Sequence, residues 1–357
     1  MEKTTLARGT SKTSLIRNGV IIAVILAVFI VIPQVTSEYV TYVVVLALIY
    51  AVLAGSYDIL TGYTGPLTFC HGAFYGIGAY TSALLTLRAG FSFWLALPVS
   101  GITVFLFAAL IGYPALRLRG HYFAVTTFFF GHFIYLVILN SVKLTSGPMG
   151  LRGIKAPESI LGLNFSTLQG SYYLIFVFSI IIVVLLYLLV KSGIGRVFVS
   201  IRENEELAEA IGINTSFYKV LAFSIGAGVA GLMGSLFAHF FRLLHPTTFA
   251  WMTSEMVVIM ALVGGLGTLI GPIIGAGIVT LILELMRFAP ELRFIIWTVA
   301  LIAVLVIEPR GLMGLIRRVK GSSAGWWLWT ITPFRFSRAS AWESSGPMAQ
   351  GKPPPST

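Results

Sequence analysis

Residues 171–190 read SYYLIFVFSIIIVVLLYLLV, twenty positions without a charge. A helix of that length rises ~30 Å, the thickness of a bilayer's hydrocarbon core. Similar windows recur near 19–35, 39–60, 66–87, 92–112, 120–140, 218–241, 254–270, 271–286 and 294–309. Together they predict an all-α polytopic membrane protein of about ten transmembrane helices. Composition agrees, since 57% of the 357 residues are apolar and only 10% are charged, against roughly 25% charged in a soluble domain. The spans leave only short loops, with no room for a soluble catalytic domain.

Lys and Arg number 24 against 13 Asp and Glu, a net charge of +11. In a membrane chain such an excess reports loop orientation rather than a nucleic-acid partner. With both termini cytoplasmic, 17 of the 24 basic residues fall in inner segments. This divides the chain into an N-terminal cytoplasmic segment (1–18), a membrane domain (19–318) with an inner loop at 191–219 and an outer loop at 141–170, and a tail (319–357). The tail carries Trp326, Trp327 and Trp329 and then Ser/Pro-rich sequence, and reads as interfacial or disordered. Lys3, Arg8, Lys12 and Arg17 before the first apolar run imitate a secretory signal. The next run follows within a few residues and no clear small-residue cleavage site intervenes, so a retained first span is expected. The single cysteine, Cys70, implies neither a disulfide framework nor a thiol metal cluster.

No basic residue falls well inside a span, as the cost of burying one in lipid requires. The acids Asp58, Glu255, Glu284 and Glu308 lie near proposed helix ends. They read as interfacial anchors, Glu284 within one turn of Arg287, or as the ion-binding groups of a self-sufficient carrier. Glycines and alanines four apart, at Gly226, Ala230, Gly234 and Ala238 and at Gly267, Gly271 and Gly275, predict close helix seams. GxGxxG at 226–231 lacks the strand that gives it dinucleotide-binding meaning. Two Gly/Pro breaks, Thr61 to Pro66 and Gly264 to Pro272, read either as interrupted helices lining a substrate path or as tight turns at the cytoplasmic surface. Path candidates are therefore Asp58, Gly65, Pro66, His71, Glu255, Gly264, Gly267 and Gly271. His71 itself reads as a packed or hydrogen-bonded histidine, with no partner spacing for a metal.

The inner loop is KSGIGRVFVSIRENEELAEAIGINTSFYK (191–219). Ser200 to Glu203 fits a capping box, Leu207 and Ile211 share a face and Gly212 is a stop signal, which predicts one helix of about three turns. So short a helix is marginal alone, so it docks either into a cytosolic protein or against the chain's own helix ends. There is no Walker A loop: the nearest match, Gly346 to Lys352, is followed by Pro353 where Ser or Thr is required. HExxH, CxxC and GxSxG are also missing, so the chain reads as a non-enzyme that holds no cofactor.

Five segments resemble the permeases of ABC importers for branched-chain amino acids, of the LivM-like kind. They are GYTGPLTFCHGAFYGIGAY (62–80), LRGHYFA (118–124), SGPMG (146–150), IRENE (201–205) with AIGIN (210–214) and YK (218–219), and the more widely shared GGLGTLIGP (264–272). The similarity covers roughly residues 20 to 318. It implies a bacterial inner-membrane permease subunit that pairs with a second, homologous permease. Two ATP-binding subunits, which hold the ATP and Mg, would sit below, and a periplasmic substrate-binding protein above. By the same resemblance the loop with Arg202, Glu203, Asn204, Glu209, Ala210 and Gly212 is the coupling helix, although Ile211 and Gly212 follow Glu209 and Ala210 more closely than the general importer pattern has it. Arg152, Lys155 and Glu158 in the outer loop are candidate contacts for the binding protein. Apolar amino acids are the expected cargo, with urea or short amides the alternative within the same architecture.

Overall fold

The computed structural model describes residues 12–118, 120–159, 162, 164–286 and 311–312. Its helices are α1 (Lys12–Val35), α2 (Glu38–Thr64), α3 (His71–Arg88), α4 (Phe93–Ala115), α5 (His121–Asn140), the single turn α6 (Val142–Thr145), α7 (Leu168–Lys191), α8 (Gly193–Glu203), α9 (Glu205–Ala210), α10 (Thr215–Phe241), α11 (Trp251–Gly264) and α12 (Ile270–Leu285). Two short strands, β1 (Leu151–Arg152) and β2 (Leu243–Leu244), pair antiparallel. Helices α2, α4, α5, α7 and α10 are long and apolar enough to cross a bilayer, and α11 and α12 are shorter apolar helices. Helices overlie nine of the expected spans. The tenth span (294–309), with Glu308, as well as Arg287 and the tail (319–357), lies outside the described residues. The chain is an all-α, multi-pass membrane protein.

Burial shows what sits in the middle. The first half of α2 buries only Thr41, Val45 and Ile49, one stripe four residues apart, whereas every residue from Val52 to Thr64 is buried. A helix enclosed on all sides is a central helix, and α10, which packs on α2, α3 and α4, is the other. Small residues let these backbones touch. A methyl group at Gly78 of α3 would lie 2.3 Å from the Gly231 Cα of α10, and one at Gly234 would lie 2.1 Å from the Tyr75 carbonyl oxygen. The Gly226 to Ala238 stripe is thus a packing seam. The other expected stripe divides. Gly271 and Gly275 lie in α12, but Gly267 sits in the α11–α12 loop at φ 74°, next to Gly265 at φ 107°. Positive φ suits glycine and ends the helix there.

The peripheral helices carry exposed apolar rows, Ile102, Leu106 and Leu110 on α4 and Val125, Phe129 and Phe133 on α5. Such rows face lipid or another chain. At the end of the bundle away from α8 and α9, the 141–170 loop is fastened by its backbone. Arg88 donates to the Lys143 and Leu144 carbonyls, and Trp94 Nε1 donates to the Glu158 carbonyl at 3.2 Å. Ser235 Oγ donates to Ser82 Oγ (2.7 Å), Ser82 Oγ to His239 Nε2 (3.0 Å), and His239 Nδ1 to the Lys155 carbonyl (2.8 Å). The Lys155 carbonyl only accepts, which fixes the tautomer of His239. Leu151, Ile154 and Phe165 are buried beneath the loop.

Candidate translocation and coupling site

The first Gly/Pro break lies inside the bundle. Gly65, at φ 103°, ends α2, and the chain doubles back through Cys70 before α3 opens at His71. His71 Nε2 lies 2.9 Å from Ser56 Oγ, whose own hydrogen goes to the Leu53 carbonyl at 2.9 Å, so the imidazole donates. Ser56 precedes Thr64 by eight residues, so α3 begins ~12 Å back along α2. Non-helical backbone at such depth is tolerated only where protein satisfies it. Here Thr61 Oγ1 donates to the Pro66 carbonyl (3.0 Å), Thr127 Oγ1 accepts from Phe69 N (3.1 Å), and Ser254 Oγ of α11 accepts from Gly72 N (2.9 Å). His71 is therefore a buried strut between α2 and α3. Among the described residues no group of three or more His, Cys, Asp or Glu is placed to hold a metal ion.

The second break folds against the first. Gly267 N donates to Asp58 Oδ1 at 2.8 Å, and Leu269 N to the Tyr63 hydroxyl at 3.2 Å. Asp58 is fully buried, and its Oδ2 has no hydrogen-bond partner among the described residues. Arg202, at the end of α8, donates through Nη1 to the Gly62 carbonyl at 2.5 Å. A methyl on Gly62 would meet Asp58 Oδ1 at 1.8 Å and Gly267 N at 2.5 Å, and one on Gly267 would meet Arg202 Nη1 at 2.4 Å. Asp58, Gly65, Gly267 and Arg202 are thus gathered at one point. Gly264 and Gly271 pack on each other nearby, a methyl on Gly264 falling 2.0 Å from the Gly271 carbonyl oxygen. Any shift of α8 reaches both breaks through a single guanidinium.

The predicted single helix of the inner loop is two helices. Ser200 lies inside α8 and returns its hydroxyl to the Val197 carbonyl (2.8 Å) rather than capping a helix start. Asn204 takes an extended backbone (φ −158°, ψ 103°) and caps α9, its Oδ1 accepting from Leu207 N at 2.9 Å. Helix α8 was missed because Gly193 and Gly195 depress helix propensity. Yet α8 buries Gly195, Phe198 and Ile201 on one face. Helix α9 is pinned by Thr215 Oγ1 donating to Glu209 Oε1 (2.6 Å), by a Lys219–Glu205 ion pair (2.5 Å) and by buried Ala208. Leu207 and Ile211 are 61% and 70% exposed, so this pair does not pack on the chain's own helix ends. Of the candidate coupling residues, Arg202 reaches inward and Glu209 engages Thr215, while Glu203, Asn204, Ala210 and Gly212 are exposed. At the far end, Arg152, Lys155 and Glu158 are exposed, held outward by the backbone anchors already described.

Glu255 sits away from both ends of the bundle. It is near the start of α11, but that start is itself inside the bundle: Ser254 meets Gly72 at the deep opening of α3, and nine residues, ~14 Å, separate Glu255 from Gly264. Glu255 is exposed on the bundle's face. An acidic side chain at the centre of a spanning helix costs ~3 kcal/mol, which favours a wet or protein-covered setting for that face over lipid. It borders an open-sided cavity of 520 Å³ lined by Phe69, Ala124, Val125, Phe128, Phe129, Trp251 and Glu255. Trp251 and Glu255, four apart on one helix, are the sequence signal that would have marked it. Ser56, Thr127 and Ser254 belong to no motif and had none, while Tyr63 stands in the 62–80 segment with nothing to mark its hydroxyl. Glu284 lies half-buried in the last turn of α12.

A chain that turns back into a membrane bundle through irregular backbone enclosed by protein fits the discontinuous helices of a transporter. The chain belongs to the family described as branched-chain amino acid transport system / permease component, whose model matches residues 39–307. It is 29% identical over 327 residues to the high-affinity branched-chain amino acid transport system permease protein LivM of Salmonella typhimurium, covering 85% of this chain and 77% of that protein. Its identity to LivM of Escherichia coli K12 is 30% over 308 residues, 80% of this chain and 72% of the relative. The permease protein LivH of Salmonella typhimurium is 28% identical over 285 residues, 74% of this chain and 91% of LivH. No solved structure matches the chain.

Proposed function

We propose that this chain is a permease subunit of an ATP-driven importer of branched-chain amino acids in a bacterial inner membrane. It crosses about ten times with both termini cytoplasmic, so the α8–α9 end faces the cytoplasm. There it docks on ATP-binding subunits, which hold the ATP and Mg. A second, homologous permease completes the membrane part, and a periplasmic binding protein delivers cargo to the 141–170 loop through Arg152, Lys155 and Glu158. The observation that carries this reading is the division of labour in the inner loop. Leu207 and Ile211 stand exposed while Arg202, one helix away, grips the Gly62 carbonyl. An apolar ridge outside and a charged grip inside suit a part that receives force from another protein and passes it to the broken helices.

Reconstitution tests the reading. Purified alone into liposomes, the chain should concentrate no leucine, with or without an ion gradient; with its companions and ATP it should. Replacing Leu207 and Ile211 together by Ser should weaken co-purification of the ATP-binding subunits at least tenfold while leaving the melting temperature of the chain alone within about a degree. Concentrative uptake by the isolated chain would instead establish an ion-coupled carrier. Competition by leucine against urea then decides the cargo class.

A further inference from the structure

The cavity between α5 and α11 uses none of the residues of the coupling point. Its walls are Phe69, Val125, Phe128, Phe129 and Trp251, and its charged member is Glu255. Phe128 and Trp251 meet edge to face at 6.2 Å. The Glu255 carboxylate makes no hydrogen bond or ion pair with any described residue. It sits ~14 Å from the α8–α9 end of the bundle, and α3, which opens beside it, rises ~25 Å to the other end. A carboxylate at that depth faces a water-filled path or a second chain rather than lipid. A volume of 520 Å³ lies within the ~300–1,000 Å³ of small-molecule sites, which are typically apolar with a few placed polar groups.

An apolar amino acid offers a cationic ammonium beside a hydrocarbon side chain, and its carboxylate, for which the lining holds no cation, would point out through the open side. We propose that this cavity is the subunit's share of the cargo path, in which Glu255 receives the α-ammonium of an amino acid in transit and Phe128 and Trp251 hold its side chain. The proposal rests on the amino-acid cargo argued above and adds where and how that cargo is held. Aromatic faces reinforce the attraction for the ammonium. The site is also wired to the coupling point. Phe69 belongs to the doubled-back segment that begins at Gly65, where the Arg202 side chain lies within 3.6 Å of a Cβ position, so a pull on that segment reshapes the cavity wall.

The test uses the complete transporter in proteoliposomes with saturating binding protein and labelled leucine. Glu255→Gln should lower uptake at least tenfold in complexes that still co-purify with every companion, and Glu255→Asp should stay within threefold of the parent. A photoreactive leucine analogue should label the peptides carrying Phe128 or Trp251 in the parent and at least tenfold less in Glu255→Gln. Uptake by the Gln variant within twofold of the parent overturns the proposal, as does an equal loss in the Gln and Asp variants. Failure of the Gln variant to co-purify also overturns it, since Glu255 would then be an assembly contact. If the parent transporter moves no leucine, the cargo reading itself fails, and that is seen before any substitution is made.

Discussion

Two polar clusters occupy opposite ends of the bundle, one on α10 and the other on α2, and they are built differently. At the loop end, Ser235, Ser82, His239 and the Lys155 carbonyl form a chain of neutral hydrogen bonds in which each donor has an acceptor. At the α8–α9 end, Asp58, Gly267, Gly62 and Arg202 join α2, the α11–α12 loop and α8, with a guanidinium donating to a carbonyl and one carboxylate oxygen, Oδ2, left without a hydrogen bond among the described residues. A satisfied neutral network rigidifies. A charged cluster strung across three elements, with an acceptor in reserve, holds one arrangement without forbidding another. The first is a fastener and the second a joint.

Four substitutions break or sharpen that contrast. The largest effect is expected from Gly62→Ala, whose methyl has no room beside Asp58 Oδ1 and Gly267 N. It should cost about 3 kcal/mol, the upper range for overpacking, and abolish uptake, as read by thermal melting and transport of the assembled complex. Arg202→Ala removes a charge-assisted bond worth about 2 kcal/mol. If the cluster is a joint, uptake should fall roughly 30-fold while the complex still assembles; an uptake defect no larger than the melting shift explains would make it mere ballast. Ser82→Ala interrupts the neutral chain and should lower stability by about 1 kcal/mol with uptake nearly unchanged, and a transport defect exceeding the stability defect would erase the distinction between the clusters. The smallest effect belongs to Asp58→Asn, which keeps an acceptor for Gly267 N. Removing a buried, half-unpaired charge offsets most of the cost of burying a new amide N–H, so stability should move by less than about 1 kcal/mol, whereas a larger loss would show that the charge and not the acceptor matters.

Hydropathy places nine helices because lipid demands a run of apolar residues whatever the neighbours are. It does not reach depth. Gly65 and Pro66 announce a break, but how far the following segment climbs back depends on Ser56, Thr127 and Ser254, which lie 15, 58 and 182 residues from their partners. The α8–α9 division was missed because two capping signals compete, and packing of Phe198 and Ile201 decides for Asn204. Gly267 looked helical by spacing because spacing carries no φ. The acid at Glu255 is plain in the sequence, but its place near a helix end conceals that this end is internal. Short-range chemistry was readable, and whatever requires two distant segments to meet was not.

The buried start of α3 bears on how the protein is made. Its 18 residues fall outside the five helices apolar enough to cross by themselves, and two of its polar groups, Gly72 N and Ser82 Oγ, find partners 182 and 157 residues downstream. At ribosomal rates of about 5–20 residues per second those partners arrive ~8 to 36 s later. Helix α3 is therefore among the last to settle. Until α10 and α11 emerge, it depends on α2 and the insertion machinery for shelter.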